Sequence, residues 1–204
     1  GSATGLDRRF DEFVETHELV SLPRRHKISL LKYIPRMHSH GPGFKMRKSA
    51  HAEQLSYFTL DIAKRELRSC AVEKKPTFCY VHFNDTHSPF EPPMAYLREY
   101  TPQIGISLSE ALSLVTRMHE NPEEMIANGV TERQISIIET MYDATIKYVD
   151  RCVTSLAEYF LSKFEDAIVV VTADHGLLLG EYGLLKHRTM LHDGNIHVPL
   201  VVFG

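Results

Sequence analysis

The sequence has no tryptophan, only three cysteines, and no apolar run long enough to cross a bilayer. Its longest uninterrupted apolar run is residues 167–171, so we expect no transmembrane segment in this chain. The number of cysteines is odd, and their spacing is not that of a metal site: they are Cys70, Cys79 and Cys152. They indicate buried thiols and a reducing compartment, while the localisation is otherwise open.

Acidic residues are missing from one long stretch of the chain. Between Glu18 and Glu53 there is no Asp or Glu, but eight Lys or Arg residues lie between Arg24 and Lys48. A basic segment of this kind suits an anionic substrate or a membrane surface, and a solvated connector is the alternative. No aromatic interleaving accompanies these charges, so we expect no nucleic-acid partner.

The remaining pattern is that of an α/β domain. The chain has 204 residues, 43% of them hydrophobic, which suits one domain or one large piece of a domain. Thr131 and Gln134 form a capping-box pattern that opens the strongest predicted helix, whose apolar positions recur three and four residues apart up to Tyr159. We expect a mostly parallel sheet flanked by helices on both faces, because the strand-like runs are apolar throughout. The predicted segments are a loop-rich basic connector at 1–50, an α/β core at 51–204, helices at 51–69 and 107–120 (the latter on the surface), and strands at 77–83, 167–172 and 198–203.

Polar residues follow two of the predicted strands. Asp174 and His175 come directly after one strand, His87 follows another in a proline-rich loop, and Lys186 lies twelve residues after Asp174. Open α/β sheets place their sites at such strand ends, so a metal held by Asp174 and His175 would lie beside an anion bound by Lys186 and His87. His87 could also protonate a leaving group. Taken singly, each residue has a structural alternative: a capping Asp, a packed His or a solvated Lys.

Three further histidines crowd the region after Lys186. They are His187, His192 and His197. One of them could line the site, but the sequence does not indicate which.

Together these segments resemble the sulfatase family of the alkaline-phosphatase-like superfamily. The matching segments are residues 78–93, 141–150, 169–176 and 198–202, in the family's order, together with Gly180, Glu181 and Lys186. The resemblance implies an alkaline-phosphatase-like α/β fold and hydrolysis of sulfate esters. It also implies a formylglycine nucleophile, made from a cysteine or serine in Cys/Ser-x-Pro-x-Arg, and a divalent cation, with calcium expected first and manganese or magnesium as alternatives.

The resemblance assigns roles residue by residue. Asp174 and His175 match a pair of the family's metal ligands, and His87 and Lys186 match its sulfate-contacting catalytic residues. The substrate is then a sulfate ester, and the basic stretch from Arg24 to Lys48 would suit a sulfated, anionic polysaccharide.

The sequence also departs from the family pattern. We expect no Cys/Ser-x-Pro-x-Arg motif in this chain, since Cys70, Cys79 and Cys152 are followed by other residues. The family's Asp-Asp metal pair is also absent. The family's sequence also continues beyond Gly204, and Tyr182 stands where the family often has histidine. We therefore expect an incomplete sulfatase domain, with formylglycine upstream and absent from this chain.

Three other functions fit the same residues. A phosphonate monoester hydrolase or phosphodiesterase on the same scaffold would also use Asp-His-Gly, often with manganese. A non-catalytic homologue would retain the anion pocket and lack the nucleophile. A phosphoethanolamine transferase would use the same metal site.

We expect these 204 residues alone to show no sulfatase turnover, even with added Ca²⁺, because half of the family's metal site and the expected nucleophile are missing. Release of the alcohol from an aryl sulfate by the purified chain provides the measurement. Turnover above that of a buffer blank would contradict this expectation.

Overall fold

The computed structural model describes residues 55–73, 76–187 and 190–204, with the side chains of residues 103 and 104 left out. The predicted basic connector at 1–50 and its boundary with the α/β core lie outside these ranges. Both therefore stay predictions.

Helices dominate the described ranges. None of these helices is both long enough and apolar enough to cross a membrane. They are α1 (Leu55–Glu73), α2 (Met94–Tyr100), α3 (Leu108–Glu120), α4 (Pro122–Ala127), α5 (Glu132–Leu161) and α6 (Asp193–Ile196), with short 3-10 turns at Thr101–Ile104 and Glu181–Gly183.

Helix α5 begins where its capping box was predicted. The Thr131 hydroxyl accepts a hydrogen bond from the Gln134 backbone N–H at 3.2 Å, and Gln134 Oε1 accepts one from the Thr131 N–H at 2.9 Å. These two bonds satisfy N–H groups that have no partner within the helix. The deepest residues of α5 include Met141, Ala144 and Tyr148, beside the predicted stripe. The buried face is therefore wider than the stripe, because α1, α2 and α3 all pack against α5.

Helix α3 forms where a surface helix was predicted: Glu110, Ser113 and Arg117 are exposed on one face, and the apolar face belongs to the core. It packs on α5, which is why its apolar face is covered. Fully or almost fully buried side chains of this core come from the loop before α2, from α2, α3 and α5, and from one short strand: Phe90, Leu97, Val115, Met118, Ile138, Met141 and Leu185.

Both strand pairs in the described ranges are antiparallel. Strand β1 (Val169–Thr172) pairs with β4 (Leu200–Phe203), with Val169 opposite Phe203 and Thr172 opposite Leu200. Strand β2 (Leu178–Leu179) pairs with β3 (Leu185–Lys186). The predicted strands at 167–172 and 198–203 are thus confirmed as strands. The parallel pairing expected for them is not what β1 and β4 form, and the mostly parallel sheet stays a prediction.

The strand predicted at residues 77–83 does not form. This segment has no regular structure, and the side chains of Phe78 and Tyr80 are 78% and 61% exposed. Cys79 is therefore exposed, contrary to the buried position expected for it, whereas Cys152 in α5 is buried and all three cysteines are thiols. An apolar run forms a strand only when a neighbouring strand supplies its hydrogen bonds, and the described strands pair only with one another.

The first turn of α1 donates hydrogen bonds to residues that are distant in the sequence. Asp85 Oδ2 accepts a hydrogen bond from the Ser56 backbone N–H at 2.8 Å and another from the Ser56 hydroxyl. The Tyr148 hydroxyl accepts one from the Tyr57 N–H at 3.2 Å. A carboxylate at a helix N-terminus meets both unpaired N–H groups and the positive end of the helix dipole. Burial nevertheless raises the pKa of Asp85 to about 6, against the opposing effect of the hydrogen bonds from Ser56.

Replacing Asp85 should change how stability depends on pH. The pKa of Asp85 in the folded chain is about 6, against an ordinary value of 3.8. The folded state therefore binds this proton more tightly, and the stabilisation is full below the ordinary value and lost as the pH rises through about 6. Asp85→Asn retains an oxygen acceptor for Ser56 but cannot ionise.

We expect the unfolding free energy of the wild type, relative to Asp85→Asn, to fall by about 3 kcal/mol between about pH 3.5 and pH 7.5. Urea unfolding across this range measures it. Asp150→Asn, at an exposed position of α5, is the matched control. A difference between wild type and Asp85→Asn that stays constant with pH would contradict the assignment.

Candidate functional site

Asp174 and His175 lie in the turn that follows strand β1. Gly176 fixes this turn, since its backbone N–H donates to the Asn195 carbonyl at 2.7 Å and a Cβ atom there would lie 2.0 Å from the Gly194 oxygen. Only glycine allows so close an approach. The turn therefore packs against α6, and the side chains of Asp174 and His175 remain exposed at its edge.

Lys186 is held at the end of the β2–β3 hairpin. Leu178 and Leu185, one on each strand, are completely buried and anchor the hairpin. Lys186 has a φ of 66°, an unusual left-handed conformation for a residue other than glycine. Its ammonium group donates to the His119 backbone carbonyl at 3.2 Å, in the last turn of α3. Lys186 is therefore a positioned cation, half-buried, and not a freely solvated one.

His87 is fixed by the loop that carries it. Its backbone N–H donates to the Asn84 carbonyl at 3.0 Å, and its Nδ1 lies 2.7 Å from the Ser88 carbonyl. Because a carbonyl only accepts hydrogen bonds, Nδ1 carries the proton. The other ring nitrogen, Nε2, points to His187 Nε2 at 3.1 Å.

His187 connects the separate parts of the site. Its ring centroid lies 5.2 Å from that of His87 and 4.6 Å from that of His175. Partial burial lowers the pKa of His187, and the neighbouring His175, His87 and Lys186 lower it further.

The structure also separates the three histidines that the sequence left undistinguished. His187 contacts His87 and His175, whereas His192 stacks on Tyr182 with ring centroids 4.5 Å apart. His197 is exposed after α6. The predicted residues Asp174, His175, His87 and Lys186 therefore come together around His187.

An open cleft of about 590 Å³ lies beside Asp174 and His175. Asn195 supplies a further polar side chain, and the other walls are apolar. The remaining lining residues are Met190, Leu191, Ile196 and Val198.

The donor set at this edge fits part of a metal site. His175 Nδ1 donates to the Gly176 carbonyl at 2.8 Å, which leaves Nε2 with a lone pair for a cation, an arrangement typical of metal-binding histidines. The Asp174 carboxylate, which accepts the His175 N–H at 3.0 Å, supplies oxygen ligands. Within the described ranges, no three His, Cys, Asp or Glu side chains form a metal-binding group. Asp174 and His175 would therefore hold a metal only together with further ligands.

His119 and Ser88 were given no role in the sequence-based prediction. The Ser88 hydroxyl lies 3.1 Å from His119 Nδ1, and the His119 carbonyl accepts the hydrogen bond from Lys186. His119 appears in the sequence only as a polar residue near the end of an amphipathic helix. Its contacts lie 31 and 67 residues away, so no local pattern indicates them.

The sequence also contradicts the expectation that this chain lacks the nucleophile motif. Residues 21–25 read Ser-Leu-Pro-Arg-Arg, which satisfies Ser-x-Pro-x-Arg. These residues lie outside the described ranges. This chain therefore contains a serine version of the motif, although none of its three cysteines lies in one.

Comparison with known proteins is consistent with the geometry of this edge. The chain matches the Sulfatase family model over residues 4–204, a range that contains all four predicted site residues. No solved structure matches the chain. With almost its whole length covered by the match, the chain belongs to the sulfatase family.

Proposed function

We propose that this chain carries the sulfate-contacting residues and part of the metal site of a sulfuric ester hydrolase. Membership of the sulfatase family supports a hydrolase of this type. The contacts of His187 with two predicted site residues support the finer proposal, which is the assignment of roles to individual residues. This residue directly follows Lys186 and contacts both His87 and His175, which lie 100 and 12 residues earlier in the chain.

Lys186 is the residue proposed to bind the sulfate oxygens. An ammonium group has three N–H donors, and the His119 carbonyl takes one of them. The others can donate to an anion. Because the lysine is already held in place, little side-chain entropy is lost when the anion binds.

His87 is proposed to serve the leaving oxygen of the ester. Its Nδ1 proton is held by the Ser88 carbonyl, so donation to a substrate would come from Nε2, which would then turn from its contact with His187 Nε2 at 3.1 Å. When Nε2 is protonated, it can give a hydrogen bond or a proton to the departing alcohol.

Asp174 and His175 are proposed as two ligands of a divalent cation. Carboxylate oxygens suit calcium, which the family resemblance makes the first expectation, and the imidazole nitrogen also tolerates manganese. A bound cation would stabilise negative charge on the transferring group. Asp174 and His175 would hold the cation at the edge of the cleft.

The test of the function compares two esters. We expect the product of the complete reading frame that contains this sequence to hydrolyse an aryl sulfate with a higher kcat/KM than the matching aryl phosphonate. The opposite preference would favour a phosphonate monoester hydrolase or phosphodiesterase. Binding of inorganic sulfate without turnover of either ester would favour a non-catalytic anion-binding homologue.

A serine variant adds a control on the nucleophile in the same assay. Loss of sulfate-ester turnover in Ser21→Ala would place the nucleophile in this chain. Unchanged turnover in this variant would place it elsewhere in the product of the reading frame.

The metal assignment can be measured without turnover. We expect Asp174→Asn to weaken Ca²⁺ binding at least tenfold, because a neutral amide replaces a charged oxygen ligand. Isothermal titration of Ca²⁺ into the product of the complete reading frame, repeated with Mn²⁺, gives the dissociation constants of the wild type and of each variant. Asp193→Asn is the matched control, since Asp193 is an exposed carboxylate in α6, the helix that packs against the same turn. Equal weakening by both substitutions would indicate a general charge effect and contradict a ligand role for Asp174.

A further inference from the structure

Resting on the proposed function, we infer that His119 is a positioning residue that sets the separation of the two anion-contacting residues. Its backbone carbonyl holds Lys186, and its imidazole holds Ser88, the residue next to His87. One residue of α3 thus contacts two segments that are far apart in the sequence.

The contact with Lys186 uses the end of a helix. The last carbonyls of a helix have no partner within it, and they form the negative end of the helix dipole. His119 lies one residue before the end of α3. Its carbonyl accepts a hydrogen bond from the Lys186 ammonium at 3.2 Å, so both charge and hydrogen bonding favour this placement of the lysine.

The contact with the His87 loop uses the side chain of the same residue. His119 Nδ1 lies 3.1 Å from the Ser88 hydroxyl, and Ser88 is only 3% exposed. The Ser88 carbonyl in turn fixes His87 through Nδ1 at 2.7 Å. The His87 and His119 rings also lie 6.2 Å apart, nearly perpendicular at 80°. Movement of the His119 side chain would therefore be passed to the His87 ring.

His119 is itself held rigidly. Its neighbour Met118 and the preceding Val115 are completely buried in the core, where α3 packs against α5. A residue fixed in this way can act as a reference point for two loops. Misplacement of a contacting group by about 1 Å can cost roughly a hundredfold in rate, so the fixed separation matters to the reaction.

The test uses inorganic sulfate as the probe and the product of the complete reading frame as the protein. We expect His119→Ala to weaken sulfate binding about tenfold, because it releases Ser88 and His87 but leaves the backbone carbonyl for Lys186. His119→Asn should bind within about threefold of the wild type, since its side-chain oxygen stands where Nδ1 stood relative to the backbone. Isothermal titration gives each dissociation constant.

A double-mutant cycle separates positioning from general damage to the fold. Ser88→Ala should weaken sulfate binding about as much as His119→Ala, and the double variant should bind no more weakly than either single variant, because one contact is lost in all three. His82→Ala removes an exposed histidine outside the site and should leave binding unchanged. Thermal unfolding of each variant verifies that it is folded.

The outcomes distinguish this inference from the function on which it rests. Failure of the wild type to bind sulfate would overturn the proposed function and the positioning role with it. Normal binding by the wild type and by His119→Ala would overturn the positioning role alone. The positioning role would also fall if His119→Asn bound sulfate as weakly as His119→Ala, or if the losses in the double variant were additive.

Discussion

Burial of one broad face of α5 is the constraint on which the rest of the described structure depends. Helices α1, α2 and α3 all pack against this face, and Leu185 of the β2–β3 hairpin joins the same core. Of these elements, α3 contacts Lys186 and Ser88, α1 contacts Asp85 beside the His87 loop, and the hairpin carries Lys186. Burial of apolar area is non-directional, so it brings the elements together without fixing the positions of their polar side chains.

Those positions are fixed by polar contacts at helix ends. The N-terminal turn of α1 receives the carboxylate of Asp85, and the C-terminal turn of α3 receives the ammonium of Lys186. In both cases the charge of the side chain is opposite in sign to the end of the helix dipole that it meets. The side chain also satisfies backbone groups that have no partner inside the helix. Asp85 and Ser88 bracket His87, so the histidine is held from both sides by the packed helices. The packing of the helices and the geometry of the candidate site are thereby linked.

Local elements were predicted well where the chain itself supplies the signal. The capping box at Thr131 and the apolar runs that became β1 and β4 are local properties, since they depend on neighbouring residues or on continuous hydrophobicity. The segment at 77–83 has the same apolar character and forms no strand, and the surface helix predicted at 107–120 packs its apolar face against α5. A strand requires a partner and a helix face requires a neighbour, and neither is encoded within the segment. The antiparallel pairing of β1 and β4 was missed for the same reason.

The sequence by itself determined the chemistry available at the site. It determined that Asp174 and His175 stand together before Gly176, that His87 lies in a proline-rich loop, and that Lys186 follows twelve residues after Asp174. Only the tertiary structure decided that His187 joins these residues and that His119 connects Lys186 with Ser88. The hydrogen bonds among these contacts join residues 31, 67 and 100 positions apart. Periodicity reports which face of an element is buried, but the partner that meets this face is chosen by the packing of the whole chain.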